Sequence, residues 1–210
     1  MQGIIGKKIG MTKMFSNKEG KSVPITVIEA GANVVHQIKT KEIDGYSAVQ
    51  LGFDLIAEKK VNKPLLGHFK KNNSSPTRFI REFKLDSADE KLTPGQKVGV
   101  EVLDNVKFVN VVGTTKGRGF TGTIKRYSFH RGPAGHGSKS IRVRGSSGAN
   151  TTPGSVKKGL RMEGHYGAAQ RTIRNLEVMA IDKDAGLVMI KGAVPGPNKG
   201  IVYISKIVKK

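Results

Sequence analysis

Between Lys116 and Arg174 the chain sets thirteen Lys or Arg, twelve Gly and three His against a single acid, Glu163. Only 15 of these 59 residues are apolar, about a quarter, against about two-fifths of the remaining chain. A segment so polar and so rich in Gly buries too little apolar surface to offset the entropy of ordering it. It also supplies +12 of the formal +21 charge. Such a stretch cannot fold on itself and is expected to be mobile until a partner orders it; a polyanion is the partner its charge selects.

The other 151 residues suffice for one good-sized core with a small inserted subdomain. They keep +9 of charge, so the body is basic too, but moderately. A pI near 10.2 with clustered cations is the electrostatic footprint of a nucleic-acid partner. Binding to an anionic membrane would call for an amphipathic helix or a polybasic flank on an apolar span. The sequence has no apolar run of spanning length and the segment has no helical apolar stripe, so no membrane role is expected. With no Cys, disulfides, thiolate chemistry and Cys-ligated zinc are excluded. Met1–Gly6 runs directly into strand-like sequence without a signal or transit pattern, so the compartment of synthesis is the expected location. An organelle-encoded or processed chain would read the same.

The fold class expected is mainly β. Residues 21–29, 34–40 and 46–53 are short β-branched runs with partial period-two alternation, broken by turn residues at Asn17–Gly20, Gly31–Asn33 and Asp44–Gly45. Pro24 lacks a ladder donor, which places its strand at an edge or near its start. Asp44–Gly45 between two strands is a hairpin signal. From Asn62 the period changes: Asn62 fits an N-cap, Pro64 the first turn, and Leu65, Leu66 and Phe69 one helical face. Strands resume at 78–85, at Val98, Val100 and Val102 in period two, and at 107–115. Beyond the basic segment they continue at 173–182, 187–192 and 201–208. Strands on both sides of the segment are expected in one sheet system. The reading is a closed or nearly closed antiparallel β-barrel over 1–115 and 175–210, with a helical insertion about 55–90 and a long irregular basic arm over 116–174. A loop of that length inside a compact domain is expected only where it has a binding role.

Gly117, Gly119 and Gly122 match G-x-G-x-x-G after a strand, the fingerprint of dinucleotide binding. The residues after Gly122 carry no apolar helical face, and the window some 20 residues on holds Arg142 and Arg144 where an acid is required. The bend instead suits close approach of bare backbone to phosphate, with Lys116, Arg118, Lys125 and Arg126 as counter-charges; a plain barrel-rim turn is the bland alternative. His130, His136 and His165 lack the spacing and the orienting carboxylate of a metal or general-base site. They suit stacking on bases or reaching phosphate, or are solvated loop side chains. Tyr127, Phe129 and Tyr166 interleave with Arg126, Arg131 and Arg171, a pattern for splayed RNA bases, though Tyr127 and Phe129 equally suit seating the base of the arm. Lys139, Arg142, Arg144, Lys157, Lys158, Arg161 and Arg174 are expected at phosphates, with a solvated charge run as the alternative. Paired carboxylates, a Ser/His/Asp set and a P-loop are absent, so neither catalysis nor a cofactor is expected.

These stretches together resemble bacterial-type large-subunit ribosomal protein L three. The resemblance runs through GIIGKKIGMTKMF (3–15), KPLLGHFKK (63–71), VNVVGTTKGRGFTGTIKR (109–126), RVRGSSGANTTPG (142–154), the Gly-His at 164–165 and IKGAVPG (190–196). It implies a translation-protein-type β-barrel and a structural, rRNA-binding role in the large ribosomal subunit. Its partners would be large-subunit rRNA and neighbouring ribosomal proteins, with no small-molecule substrate. It also implies early assembly, a cytoplasmic particle, and an arm reaching toward the peptidyl-transferase centre with a tip at Gly148–Pro153 that includes Asn150 and Thr151. Some members carry a methylated Gln just before the Thr-Pro pair; Thr151 holds that place here, so no such modification is expected. A free-standing β-barrel RNA-binding regulator is the alternative. It would bind through a patch on the barrel and would need no arm.

Overall fold

The computed structural model describes residues 1–15, 20–31, 33–85 and 92–207. In chain order the elements are β1 (Gly3–Phe15), β2 (Ser22–Glu29), β3 (Asn33–Lys39), α1 (Lys41–Asp44), β4 (Ala48–Leu55), α2 (Lys63–Lys71), β5 (Thr77–Lys84) and β6 (Lys97–Val98). They continue with β7 (Phe108–Thr114), β8 (Phe120–Thr121), α3 (Thr123–Tyr127), β9 (Gly164–His165), β10 (Gln170–Asp182), β11 (Leu187–Lys191) and β12 (Ile201–Lys206). Two 3-10 turns, Glu58–Lys60 and Val100–Leu103, join them. The chain divides into two compact units, Met1–Thr115 with Gln170–Lys210, and Lys116–Ala169.

The first unit is the expected antiparallel barrel, closed in the order β1-β12-β7-β10-β11-β2. Period-two burial builds it: Val109 and Val111 of β7, Val188 and Ile190 of β11, and Val202 and Ile204 of β12 are sealed inside, while their sequence neighbours face outward. Closure leaves these strands no edge. Pro24 is the third residue of β2, opposite Lys13, so its missing donor falls near the strand's start.

A second sheet, in the order β5-β4-β3-β6, is inserted between β2 and β7. The sequence pattern marks strands at 34–40, 46–53 and 78–85 but assigns them to the barrel system, with only the helical insertion set apart; they form a sheet of their own instead. Val35, Val49, Leu51, Phe53 and Phe83 of this sheet join Ile4, Ile5 and Ile28 of the barrel in one core. The first residues of β1 are therefore buried on both faces, and its later residues are exposed on at least one. Asn33 ties the two sheets: its amide accepts from Ile5 N–H at 3.1 Å and donates to Ile5 O at 3.0 Å and Ala30 O at 2.8 Å. A buried side chain here takes the place of a ladder partner, meeting donor and acceptor together.

Several local expectations change. Val98, Val100 and Val102 do not form one strand: β6 stops at Val98 and a 3-10 turn succeeds it, which stacks Val100 and Leu103 three residues apart on the buried side. Asp44–Gly45 does not make a two-residue hairpin; α1 fills the β3–β4 connection and Gly45 ends it in the left-handed region. In α2, Asn62 occupies the N-cap without a side-chain cap bond, Phe69 is buried, and Leu65 is exposed. Strand β10 begins at Gln170, so Arg171 and Arg174 stand on a barrel strand and not in the arm. The expected turns at Asn17–Gly20 and Gly31–Asn33, and the strand end at Val208, lie wholly or partly outside the described residues.

His36 of β3 is fully buried between the inserted sheet and α2. Its ring nitrogens meet Ser74 Oγ at 2.8 Å and Thr77 Oγ1 at 2.7 Å, with Phe69 4.8 Å away centroid to centroid. Gly52 makes room for it, since a Cβ there would collide with the His36 ring and the Thr77 hydroxyl. Burial, then the charge of nearby His68, pushes the imidazole down from 6.5 to about 4. The folded state thus holds His36 neutral, while the unfolded chain takes up a proton below its ordinary value. Its stabilisation is complete above about pH 6.5 and falls as pH drops toward 4, by about 3 kcal/mol. Urea unfolding should show the gap between wild type and His36→Gln closing by that amount from pH 7 to 4. A constant gap would mean that His36 is not held neutral.

Thr114 of β7 and Gln170 of β10 are register partners, so the barrel strands that flank the second unit are already paired where it begins and ends. Replacing residues 115–169 by Asn-Gly should close an ordinary hairpin. We expect that variant to keep a single cooperative melt by circular dichroism. Loss of cooperativity would show that the barrel needs the second unit to fold.

Candidate nucleic-acid interface

Residues 116–169 hold eleven of the thirteen cations, with Glu163 the one acid. The unit has no apolar core: its only buried residues are Thr121 and Thr123, and none of its side chains joins the hydrophobic cluster. Hydrogen-bonded turns hold it instead. β8 pairs with β9, Phe120 opposite His165 and Thr121 opposite Gly164. Next to that pairing, Arg118 N–H donates to Tyr166 O at 2.9 Å and Tyr166 N–H donates to Gly119 O at 3.0 Å. Thr121 Oγ1 donates to the Arg118 and Gly119 carbonyls, each at 3.2 Å. Farther on, Gly132 N–H reaches Ile141 O at 3.0 Å, and Ser146 Oγ both donates to Gly148 O and accepts from Gly148 N–H. The Thr152–Pro153 peptide is cis. These bonds are made by backbone groups and by Ser and Thr hydroxyls, not by the cationic side chains.

Exposure agrees with this. Lys116, Arg118, Lys125, Arg131, Lys139, Arg142, Lys157, Lys158, Arg161, Arg171 and Arg174 are exposed, as are His130, His136, His165, Asn150 and Thr151. Arg126 and Arg144 are half-buried. Among the described residues none of these cations takes part in an ion pair. Arg144 Nη1 is buried without a hydrogen-bond partner, an orphan donor of the kind an incoming acceptor satisfies. Among the described residues, no three His, Asp or Glu side chains come together in a way that could hold a metal ion. None of the described helices is long and apolar enough to cross a membrane. A helix does succeed the G-x-G-x-x-G stretch, but α3 spans only five residues, too short for the dinucleotide arrangement.

Two residues named from the sequence have structural work inside the unit. Arg126 Nη1 donates to Met162 O at 2.7 Å, and its guanidinium lies 5.0 Å from the Tyr127 ring centroid. Arg161 sits 5.7 Å from the same centroid and Phe129 6.3 Å from it, so Tyr127 is already surrounded. Tyr127 is therefore engaged within the unit itself. Gly164 makes room for Arg126: a Cβ there would stand 2.6 Å from Arg126 Nη1. Phe120, by contrast, is 81% exposed, and sequence reasoning misses it. Its signal there is weak, one ring inside a Gly-rich run.

Gly164→Ala and Arg126→Ala should each raise the exchange rate of the Arg118 and Tyr166 amides about fivefold, the loss expected for one partly exposed charged hydrogen bond. The double variant should lose no more than either single, because both act through the same contact. Additive losses, read by NMR hydrogen exchange, would separate the two residues.

A barrel carrying an acid-poor, cation-rich unit between two paired strands defines a basic protein with an uncompensated polar surface. The family model described as "Ribosomal protein L3" matches residues 80–187. The chain is 47% identical over 209 residues to the large ribosomal subunit protein uL3 of Petrotoga mobilis, covering 100% of this chain and 97% of that one. It is 49% identical over 208 residues to the protein of that name from Pelotomaculum thermopropionicum, covering 99% and 98%. The uL3 of Thermotoga petrophila matches at 50% over 204 residues, covering 97% and 96%. The chain belongs to the ribosomal protein L3 family, whose members are structural proteins.

Proposed function

We propose that the chain is a structural component of the large ribosomal subunit and binds large-subunit rRNA through the cations of 116–174. The observation that carries this is the set of exposed Lys and Arg with no ion pair among the described residues. Thirteen cations against one acid repel each other, and packed phosphate is the partner that reverses the sign of that term. Lys116, Arg118, Lys125, Arg131, Lys139, Arg142, Lys157, Lys158 and Arg161 neutralise phosphates. Arg171 and Arg174 do so from β10, and His130, His136 and His165 reach bases or phosphate. Asn150 and Thr151 belong to the loop tip, which reaches toward the peptidyl-transferase centre. Binding occurs early in subunit assembly, in the cytoplasm, with neighbouring ribosomal proteins docking on the barrel. The protein acts as scaffold and carries out no reaction.

The test is the salt dependence of binding to a large-subunit rRNA fragment. If about ten cations meet phosphates, log K should fall against log salt with a slope of roughly −7 to −9. Lys157→Ala, Lys158→Ala and Arg161→Ala together should reduce that slope by about 2 to 3. The chain with 115–169 replaced by Asn-Gly should lose most of the slope and the affinity. Retention of both would move the RNA site to the barrel and favour the regulator reading.

A further inference from the structure

We infer that Phe120 and His165 form a stacking platform for an unpaired nucleotide base of the RNA that the second unit binds. The inference rests on the RNA-binding reading above and adds to it a contact of a different physical kind.

Phe120 is the most exposed large apolar side chain of 116–169, at 81%, while Tyr127 and Phe129 are half-buried and in contact with each other. The bond from Tyr166 N–H to Gly119 O makes Phe120 and His165 a non-hydrogen-bonded pair of the β8–β9 ladder. In such a pair the two Cα atoms are closest, about 4.5 Å apart, and both side chains rise from the same face. His165 is exposed as well. The hairpin therefore presents two planar rings side by side on one face, and neither ring has an aromatic or cationic partner among the described residues.

Charge decides the occupant. Lys116 and Arg118 lie four and two residues before Phe120, both exposed, and Tyr166, also exposed, comes directly after His165. The acid nearest in sequence is Glu163, two residues before His165 and exposed. An apolar protein surface would gain nothing from these cations, whereas a nucleotide offers a flat ring to Phe120 and His165 and a phosphate to Lys116 and Arg118. Hydrogen bonds tie down the backbone beside the pair. Thr121 is buried beside Phe120, its hydroxyl bonded to the Arg118 and Gly119 carbonyls.

The chain contains no Trp, so Phe120→Trp places a single reporter at the proposed site. Titrating this variant with a large-subunit rRNA fragment should quench its fluorescence and shift its emission, as base stacking does. Phe120→Ala should weaken binding roughly 10- to 100-fold at fixed salt, the range of one lost base–aromatic stack. It should leave the salt slope unchanged, because no phosphate contact is removed. Phe120→Leu should behave like Ala, because the ring and not apolar bulk makes the contact; wild-type binding by the Leu variant would overturn the stacking platform. An unquenched Trp with unaltered affinity for Phe120→Ala would also overturn it, while wild type still binds with its steep slope. Failure of wild type to bind any rRNA fragment would instead remove the RNA reading itself.

Discussion

The antiparallel pairing of β7 with β10 is the constraint on which the rest depends. Its ladder runs from Phe108 opposite Glu177 to Thr114 opposite Gln170 and shifts register once, between Ile173 and Leu176. Without it the barrel would open into a sheet with two unpaired edges, and each edge would expose a row of backbone donors and acceptors. It also solves the entropic problem of a long excursion. Holding the ends of a flexible loop together costs free energy that grows only as the logarithm of its length. Here the buried Val109 and Val111 supply that closure from within the barrel. Closure of the barrel therefore draws on its own buried strands, and none of the second unit's side chains joins the hydrophobic cluster.

The second unit carries charge instead. A unit that spent its apolar residues on a core would need acids to balance its surface, and the acids would compete with phosphate for the same guanidinium groups. Residues 116–169 avoid both. Thr121, Ser146 and a series of backbone bonds stabilise the turns, and within this unit Arg126 is the one cation seen bonded to a backbone carbonyl. The unpaired donor Arg144 Nη1 fits the same logic, since a donor left open within a folded unit costs stability until an acceptor arrives.

Much of this is legible in the sequence because charge and period-two alternation are written one residue at a time. The strands at 107–115, 187–192 and 201–208 announce themselves through Val and Ile at alternate positions, and the basic segment through its near absence of acids. The features that escape depend on partners distant in the chain. A lone Asn33 gives no sign that it will take up both polar groups of Ile5, 28 residues away. Three Val at period two predict a strand over 98–102, yet Leu103 outweighs them because a 3-10 turn lets it share the buried side with Val100. Composition puts the arm boundary at Arg174, whereas Gln170 to Ile173 pair with β7 despite the cation at Arg171, because backbone hydrogen bonds do not depend on side-chain polarity.

The aromatic residues show most clearly where pattern reading stops. Tyr127, Phe129 and Phe120 stand in one stretch among cations, and composition treats them alike. Folding separates them, because α3 brings Arg126 beside Tyr127 and the chain returning at Met162 fixes Arg126 there. Arg161, one residue earlier on the returning chain, then approaches the same ring. Phe120 escapes this cluster because it lies on the two-residue strand before Gly122, on the ladder face it shares with His165. Arg126, which stacks on Tyr127, is half-buried together with the ring, whereas Arg161 stays exposed. The side chains left over, a Phe, a His and the Lys and Arg around them, are those whose chemistry no described part of this chain satisfies.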